Sequence, residues 1–463
     1  MMELQELISS CGGYRNAEGI LRVVREGLCH RCGACVGVCP DNTFALRDGY
    51  PVVVGDCSQC NLCVEVCSGL EVDYPRLGRE VYGERGYEFG SLTGPVRSVW
   101  VAHAADAAVR ELGGSGGVIT AMLLHWIRTR RIRGAIVTVD DPVEPARAAG
   151  LIARTEADVL RGARSRYTTA PTLAVLREIR DEPGPFVLVG LPCHVHALRM
   201  LQIREPQWRE RIPFVVGLFC HYALPWESVR LVGETFAPRG ARLVSVGYRD
   251  KHSAQWPNNS ARFTYDDGSE WRSPLTAPAT FNVLSRLVPL GRCLMCADAC
   301  SEFSDVAVGD PWIRGPDGRW KFRDPRGDSM VIVHTAQGEE WWQKLVDERV
   351  VVAVPVELDE ATQRGHDSML REKKERVGFR LRWRRRLGLP VPRYPGIQFP
   401  RPTRISLKEE FGFLLTRLLA WSSCWQRIAL RVAFSRWGVA WVNWRRRRRR
   451  ARPTPVPLNP NRP

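Results

Sequence analysis

Short valine-rich apolar runs alternate with helix-length segments through the middle of the chain. SVWVAHA (98–104), GAIVTVD (134–140), PFVLVGLPC (185–193) and PFVVGLFC (213–220) lack the polar alternation of a half-exposed strand. They predict strands buried on both faces, the pattern of parallel strands in an α/β domain. Between the first two lies the amphipathic segment GGVITAMLLHWIRTRR (116–131), read as a helix. In ARFTYDDGSEWR (261–272) the Asp-Asp-Gly between alternating runs predicts a hairpin. A glycine-rich stretch, residues 75–96, reads as a linker ahead of these elements.

Past residue 366 the pattern changes. KKERVGFRLRWRRRLGLPVPRYPGIQFPRPTR is basic and broken by prolines, and a helical stretch follows from Ser406 to Trp444. There Leu407, Phe411, Leu414, Leu415, Leu418, Trp425, Ile428 and Val432 recur at three- and four-residue steps, so one face is apolar. Six arginines, Arg445 to Arg450, close it. Its longest uncharged stretch is far below the roughly 20 apolar residues that span a bilayer. The reading is an amphipathic helix lying on an anionic membrane surface, or docked on the body or on a second subunit.

Charge sharpens this division. The chain's formal +17 is carried by residues 371–463, which hold 25 Lys+Arg against 4 Asp+Glu and leave a net −4 on residues 1–370. A nucleic-acid-binding reading of the whole protein therefore loses its main support and is confined to the arginine run of the tail, where a solvated end is the alternative, and no nucleic-acid partner is expected. The hydrophobic fraction of 44% is that of a globular chain, and 463 residues suggest two or three domains.

The chemistry begins with cysteines. Cys29, Cys32, Cys35 and Cys39 follow C-x2-C-x2-C-x3-C-P, and Cys57, Cys60, Cys63 and Cys67 repeat it with Ser68 in place of the proline. The opening MMELQELISSCGGYRN lacks the basic start and apolar run of a secretory signal, so reduced, metal-binding thiols in the cytoplasm are expected rather than disulfides. Zinc needs four ligands, usually as two pairs, and has no use for a third close cysteine in each group. Three thiolates on one loop instead grip three corners of a cubane, and the fourth reaches the neighbouring cluster. The spacing thus predicts two [4Fe–4S] clusters, one on Cys29, Cys32, Cys35 and Cys67, the other on Cys57, Cys60, Cys63 and Cys39.

Four further places ask for an explanation. GGSGGVIT (113–120) is a glycine-rich turn entering a helix, which suits phosphate or flavin contact or simply caps the helix. GLPCHVHAL carries Cys193 and His194, and GLFCHYALP carries Cys220 and His221, each just after a strand, where ligands of α/β sheets collect. These cysteines read as nucleophiles, as inert core residues, or as metal ligands. GRCLMCADAC adds Cys293, Cys296 and Cys300. The Cys293–Cys296 pair with Cys193 and Cys220 would complete a third [4Fe–4S] site, with Cys300 as a spare ligand.

In this order GGSGGVIT, ARSRYTTAP, GLPCHVHALR, GLFCHYALP, YRDKHSAQWP and RCLMCADACSEFSDVAVGD resemble the coenzyme F420 hydrogenase/dehydrogenase beta subunit family, which includes 7-hydroxymethyl chlorophyll a reductase. The resemblance covers about residues 25–365. It implies FAD beside iron–sulfur clusters, with Ser115, Gly116, Gly117 and Thr120 lining the flavin. Ser165, Arg166, Tyr167 and Lys251 would lie near the ring or its pyrophosphate. Arg166 stands where members carry lysine, and His194 where they often carry glutamine; beside a flavin His194 could donate a proton, making it the candidate catalytic residue, or it is satisfied by a backbone carbonyl.

The expected architecture is α/β with α+β elements: a two-cluster ferredoxin module (1–80), the two parts of an α/β flavin-binding body (95–180 and 181–365), and a basic, amphipathic helical extension (366–463). The expected function is an iron–sulfur flavoprotein oxidoreductase. It would take electrons from ferredoxin or another low-potential donor and pass them through the clusters and FAD to a small organic acceptor, F420-like or another two-electron substrate. The alternative is an electron-relaying subunit of a larger hydrogenase, dehydrogenase or polysaccharide-biosynthesis complex. A cytoplasmic protein follows, with peripheral contact at the inner face of the cytoplasmic membrane through the tail, and a homo-oligomer fits as well.

Overall fold

In the computed structural model, which describes residues 13–83, 86–251, 259–315, 319–362, 366–419 and 422–450, a mixed eight-stranded sheet organises the chain. A small hairpin near the N-terminus supplies β1 (Phe44–Arg47) and β2 (Tyr50–Val53). The large sheet takes β3 (Ser98–Ala104), β4 (Gly134–Asp140), β5 (Ala148–Ala153), β6 (Phe186–Gly190) and β7 (Phe214–Leu218). The remaining strands are β8 (Leu243–Asp250), β9 (Ser260–Tyr265), β10 (Glu270–Thr276), β11 (Val306–Gly309), β12 (Ser329–Val333) and β13 (Val351–Pro355). The large sheet runs β13-β3-β12-β11-β7-β6-β4-β5, and β8, β9 and β10 form a separate three-stranded antiparallel sheet.

The apolar runs became central strands as their composition requires. Every residue of β6 and β12 is buried, and β4, β6, β7 and β11 pair in parallel. β3 differs from expectation, because it lies antiparallel to both β12 and β13. Its valines are still buried, since a helical layer and the sheet's own neighbours cover it whichever way it runs. The predicted hairpin is β9–β10, with Phe263 opposite Trp271.

Helix α1 (Val118–Arg128) packs Met122, Leu123 and Trp126 onto the sheet, where Trp126 meets Phe214 and Trp341 edge-on. Gly117 caps it with φ +73°, a left-handed conformation that costs glycine little. Gly116 is needed for close approach: a Cβ there would lie 2.6 Å from the Ala102 carbonyl oxygen and 2.8 Å from the Ser329 nitrogen.

The cysteine-rich segment and the body share one core. Val36, Val38, Leu62 and Val66 pack in the same cluster as Leu173, Leu176, Ile179 and Leu198. Cys32 accepts from Leu173 N at 3.0 Å, and Arg180 donates to the Cys39 carbonyl at 2.6 Å. Residues 366–399, expected as part of a separate extension, are built into the body as well. Glu372, Lys373, Lys374, Glu375 and Arg376 are buried in one π-helical turn, and Arg393 pairs with Glu71 at 2.9 Å. Their charges are buried because carboxylates meet most of them: Lys374 donates to Glu302 at 2.6 Å, and Arg380 to Glu410 at 2.6 and 2.7 Å. After helices α2 (Pro192–Arg204) and α3 (Val377–Arg386), the helical stretch expected from Ser406 to Trp444 is three helices, α4 (Arg404–Leu419), α5 (Ser423–Ala433) and α6 (Arg436–Arg450).

Gly37 tests the shared core directly. A Cβ at this position would lie 2.0 Å from the Leu173 carbonyl oxygen, a backbone atom that cannot step aside. Gly37→Ala is expected to lower the thermal unfolding midpoint, with overpacking costing about 1–3 kcal/mol. An unchanged midpoint would mean that the cysteine segment is not held against the body as described.

Candidate functional site

The C-terminal ends of β4, β6, β7 and β11 open onto a cleft of about 820 Å³, the size of a pocket for a large cofactor with substrate. Ser115, Gly117, Thr120, Ser165, Arg166, Tyr167 and His194 line it. Gly116 does not; its N–H donates to Ser329 Oγ at 3.1 Å, beneath the turn. Lys251 lines a smaller pocket next to it with Ser165 and Arg166. Its Nζ donates to the carbonyls of Arg110, Ser115 and Arg326 at 2.7, 2.9 and 2.6 Å, so it fastens the glycine-rich turn. Burial pulls the Lys251 ammonium down to about 8. The HSAQWP part of the YRDKHSAQWP motif lies outside the described residues.

Two expected contacts take other roles. Arg166 spends its donors on Asp140 (2.7 and 2.9 Å) and on the carbonyls of Arg161, Gly162 and Ala163, which fixes the loop that carries Ser165 rather than leaving a fork for a phosphate. His194 has both ring nitrogens engaged: Nδ1 accepts from Leu191 N at 3.2 Å and Nε2 donates to the Ala170 carbonyl at 3.2 Å. Burial pulls its pKa down to about 4, against the Ala170 carbonyl, which raises it. The sequence reading missed Arg249. It shares Asp310 through Nη1 at 2.9 and 3.0 Å, lies beside the Tyr167 hydroxyl and lines the cleft. A buried cation at a cleft suits an anionic group such as a phosphate. The signal was present in YRD, but nothing in the sequence told it from an ordinary surface arginine.

The cysteines fall into three groups. Burial pushes the Cys29 thiol up to about 12, and the nearby Cys32 and Cys67 thiols push it further the same way; Cys35 is raised by burial and by Cys29, Cys32 and Cys67. Cys63 is raised by burial and then by Cys39, Cys60, Cys67 and Cys57. Cys193 is raised by burial and then by Cys32, Cys293, Cys220 and Cys296. These influences run among Cys29, Cys32, Cys35 and Cys67, among Cys39, Cys57, Cys60, Cys63 and Cys67, and among Cys193, Cys220, Cys293 and Cys296. Cys63 reaches Cys35, and Cys32 reaches Cys193. Cys60 lies exposed at one end and Cys220 lines the cleft at the other.

Cys300 stands apart from the inner four. It sits with Asp298 and Glu302, its thiol directed at the Leu92 and Thr93 carbonyls at 3.9 and 3.8 Å. Asp298 is already paired with His196 at 3.0 Å and Glu302 with Lys374, so that trio is a satisfied polar network.

Two observations test whether the groups fit cubane clusters. A tetrahedral zinc site with Zn–S bonds of 2.3 Å holds its sulfurs about 3.8 Å apart. Among the described residues no three cysteine sulfurs lie within 4.8 Å of one another, so the foursomes are wider than a single ion requires. The inner group is also flanked by Arg292 and Lys373, both buried and neither paired with a carboxylate among the described residues. Lys373 Nζ donates to the Cys293 carbonyl at 3.2 Å and its charge draws the Cys220 and Cys293 thiols down against burial. Arg292 keeps Nη1 without a partner. An anionic four-thiolate centre is what such cations would neutralise.

An α/β body with a series of cysteine groups leading into its cleft defines an iron–sulfur oxidoreductase-type electron-transfer subunit. The chain belongs to the coenzyme F420 hydrogenase/dehydrogenase beta subunit family: the N-terminal model of that family matches residues 99–177, the C-terminal model residues 185–358, and a 4Fe-4S binding domain residues 22–44. It is 27% identical over 372 residues to a coenzyme F420-dependent sulfite reductase of Methanocaldococcus jannaschii, covering 76% of this chain and 51% of that protein. The chain therefore spans about half the length of that relative. It is 25% identical over 295 residues to the coenzyme F420 hydrogenase subunit beta of Methanococcus voltae, covering 63% of this chain and 96% of that subunit. The fold is similar to a chain of the F420-reducing [NiFe] hydrogenase complex from Methanosarcina barkeri, with TM-score 0.51 and 20% identity over 66% of this chain and 98% of that one.

Buried histidines give the body a defined pH response. His334 donates from Nδ1 to the Pro95 carbonyl at 2.8 Å, His366 from Nε2 to the Asp310 carbonyl at 2.8 Å, and burial lowers both below the ordinary histidine value of 6.5. The unfolded chain takes up these protons below about 6.5 while the folded one does not, so stability falls as pH drops through that window. Thermal unfolding at neutral pH and near pH 5 should show the loss, and His334→Gln, which keeps a donor, should show a smaller one. Equal losses would remove His334 from this account.

Proposed function

We propose that the chain is an iron–sulfur flavoprotein oxidoreductase that takes electrons from a ferredoxin-type donor and delivers them to a small organic acceptor in its cleft. The observation that carries this reading is the series of cysteine groups from exposed Cys60 to Cys220 on the cleft wall. Cys39, Cys57, Cys60 and Cys63 would hold an outer [4Fe–4S] cluster, Cys29, Cys32, Cys35 and Cys67 a middle one, and Cys193, Cys220, Cys293 and Cys296 an inner one. Ser115, Gly117, Thr120 and Tyr167 would line FAD, with Arg249 toward its phosphates. The clusters supply single-electron exchange and the flavin the conversion between one- and two-electron chemistry.

The protein's own residues prepare that chemistry. Lys373 and Arg292 set positive charge beside the inner thiols, which favours an extra electron there. Lys251 and Arg166 fix the two loops, 113–117 and 161–165, that pack against each other at the cleft, where a Cβ on Gly114 would lie 2.5 Å from Ser165 Oγ. His221 lines the cleft and is backed at 3.2 Å by Glu372, which burial raises but His221, Arg376 and Arg380 together hold well below the carboxylate range. A donor would dock where Cys60 reaches the surface. The acceptor is a two-electron compound such as an F420-like deazaflavin, the chemistry named for the relatives.

Anaerobically purified protein should carry about twelve irons and one non-covalent FAD, and Cys293→Ala should lose about four of those irons while the two outer clusters stay. Eight irons in the unaltered chain, or no loss in the variant, would remove the inner cluster. Lys373→Met should keep the iron and move the inner centre's midpoint potential downward in an EPR-monitored titration; an unchanged potential would free Lys373 of this role. Supplied with reduced ferredoxin and a two-electron acceptor, the isolated chain should turn over. Failure of every acceptor until a partner subunit is added would assign it the relaying role instead.

A further inference from the structure

Each of the three C-terminal helices is docked by one side and presents apolar side chains to solvent on the other. In α5, Leu430 and Phe434 are buried against the three-stranded sheet, where Phe434 packs on Phe236 and Trp271. At 100° per residue, Trp425, Ile428 and Val432 fall on the opposite side, and all three are exposed. In α6, Val439 and Val442 pack inward while Trp437, Trp441 and Trp444 share an exposed arc, Trp437 at 87% exposure. In α4, Phe413 and Glu410 are buried and Phe411, Leu414 and Leu415 face out.

Exposure of this kind is concentrated here. Nine of the 19 large exposed apolar residues among the described ones lie between Phe411 and Trp444. Residues 422–450 hold nine arginines and no acidic residue. Arg431, Arg436 and Arg445 are exposed beside the tryptophans, with the Arg445 guanidinium over the Trp441 ring at 5.2 Å. No helix among the described residues is long and apolar enough to cross a membrane.

We infer that α4, α5 and α6 form a docking surface for an anionic lipid bilayer, lying in its interface. The occupant is set by charge and composition. A protein partner suits an apolar face with balanced charge, whereas tryptophans and aliphatics flanked by the exposed Arg431, Arg436 and Arg445, with Arg427 alone drawn to Glu234 at 2.6 Å among these four, match the boundary between acyl chains and negative headgroups. The same helices border the cleft: Glu409 and Phe413 of α4 and Trp441, Val442 and Arg445 of α6 line it. A docked bilayer therefore lies beside the cleft mouth, where an amphiphilic acceptor could enter directly. This inference rests on the exposed faces and does not depend on the cofactors.

The test is flotation of the full-length protein with vesicles of phosphatidylcholine alone and of phosphatidylcholine with phosphatidylglycerol. It should float with the anionic vesicles at low salt, be released by high salt, and stay behind with the neutral ones. The variant Trp425→Ser/Val432→Ser/Trp437→Ser, which leaves the docked side of each helix and the cleft lining intact, should partition about tenfold or more weaker. Its melting midpoint and iron content should match the unaltered protein. In the unaltered protein, brominated anionic lipids should quench tryptophan emission. Equal flotation on neutral and anionic vesicles, flotation of the variant like the parent, or a non-floating dimer in sedimentation would each overturn the inference, the last giving this face to a second copy.

Discussion

Arg292 and Lys373 are cations sunk in the interior with no carboxylate paired to them among the described residues, and the arrangement of the molecule turns on what balances them. A buried, unpaired charge is among the costliest things a fold can hold. Around them stand Cys193, Cys220, Cys293 and Cys296, and burial drives the thiols of Cys193, Cys220 and Cys293 toward the neutral form. Thiolates and cations resolve each other's cost only if both are charged, and a metal centre keeps thiolates ionised. Arg292 also donates to the carbonyls of Ser68 and Gly69 at 2.8 and 2.7 Å, so the residue that balances the inner group joins it to the cysteine segment.

From this joint the rest of the layout follows. The cysteine segment shares its core with the body, which holds the middle group against the inner one and leaves the outer group at the surface. The parallel strands end at the cleft and deliver Cys220 to its wall, while the segment 366–386 closes over the inner group and supplies Lys373. Rigid fixing of the cleft loops comes from cations used as staples: Lys251 through three carbonyls, and Arg166 through Asp140 and three more.

Strand runs and cysteine spacing were legible in the sequence because they are local patterns. Valine-rich runs report burial on both faces, and a three-cysteine loop with a distant fourth reports a cluster geometry. What was illegible depends on distant partners. KKERVGFR reads as a solvated basic stretch, yet Lys374, Arg376 and Arg380 are buried because Glu302 and Glu410 meet Lys374 and Arg380 from distant segments, while Glu372 meets Arg376 from one turn away. His194 read either as a proton donor or as a histidine satisfied by a backbone carbonyl, because the two backbone groups that meet its nitrogens, at Leu191 and Ala170, leave no mark in the sequence. β3 ran antiparallel to its neighbours because direction in a buried strand is set by connections, and its composition is the same either way.

The central claim is that three cysteine groups, in series, hold three metal centres between the surface and the cleft. Anomalous diffraction at the iron edge on anaerobically grown crystals measures this most directly. The account predicts three iron peaks, one within each foursome, with the peak among Cys29, Cys32, Cys35 and Cys67 between the other two. Two peaks in the N-terminal segment with none among Cys193, Cys220, Cys293 and Cys296 would contradict it.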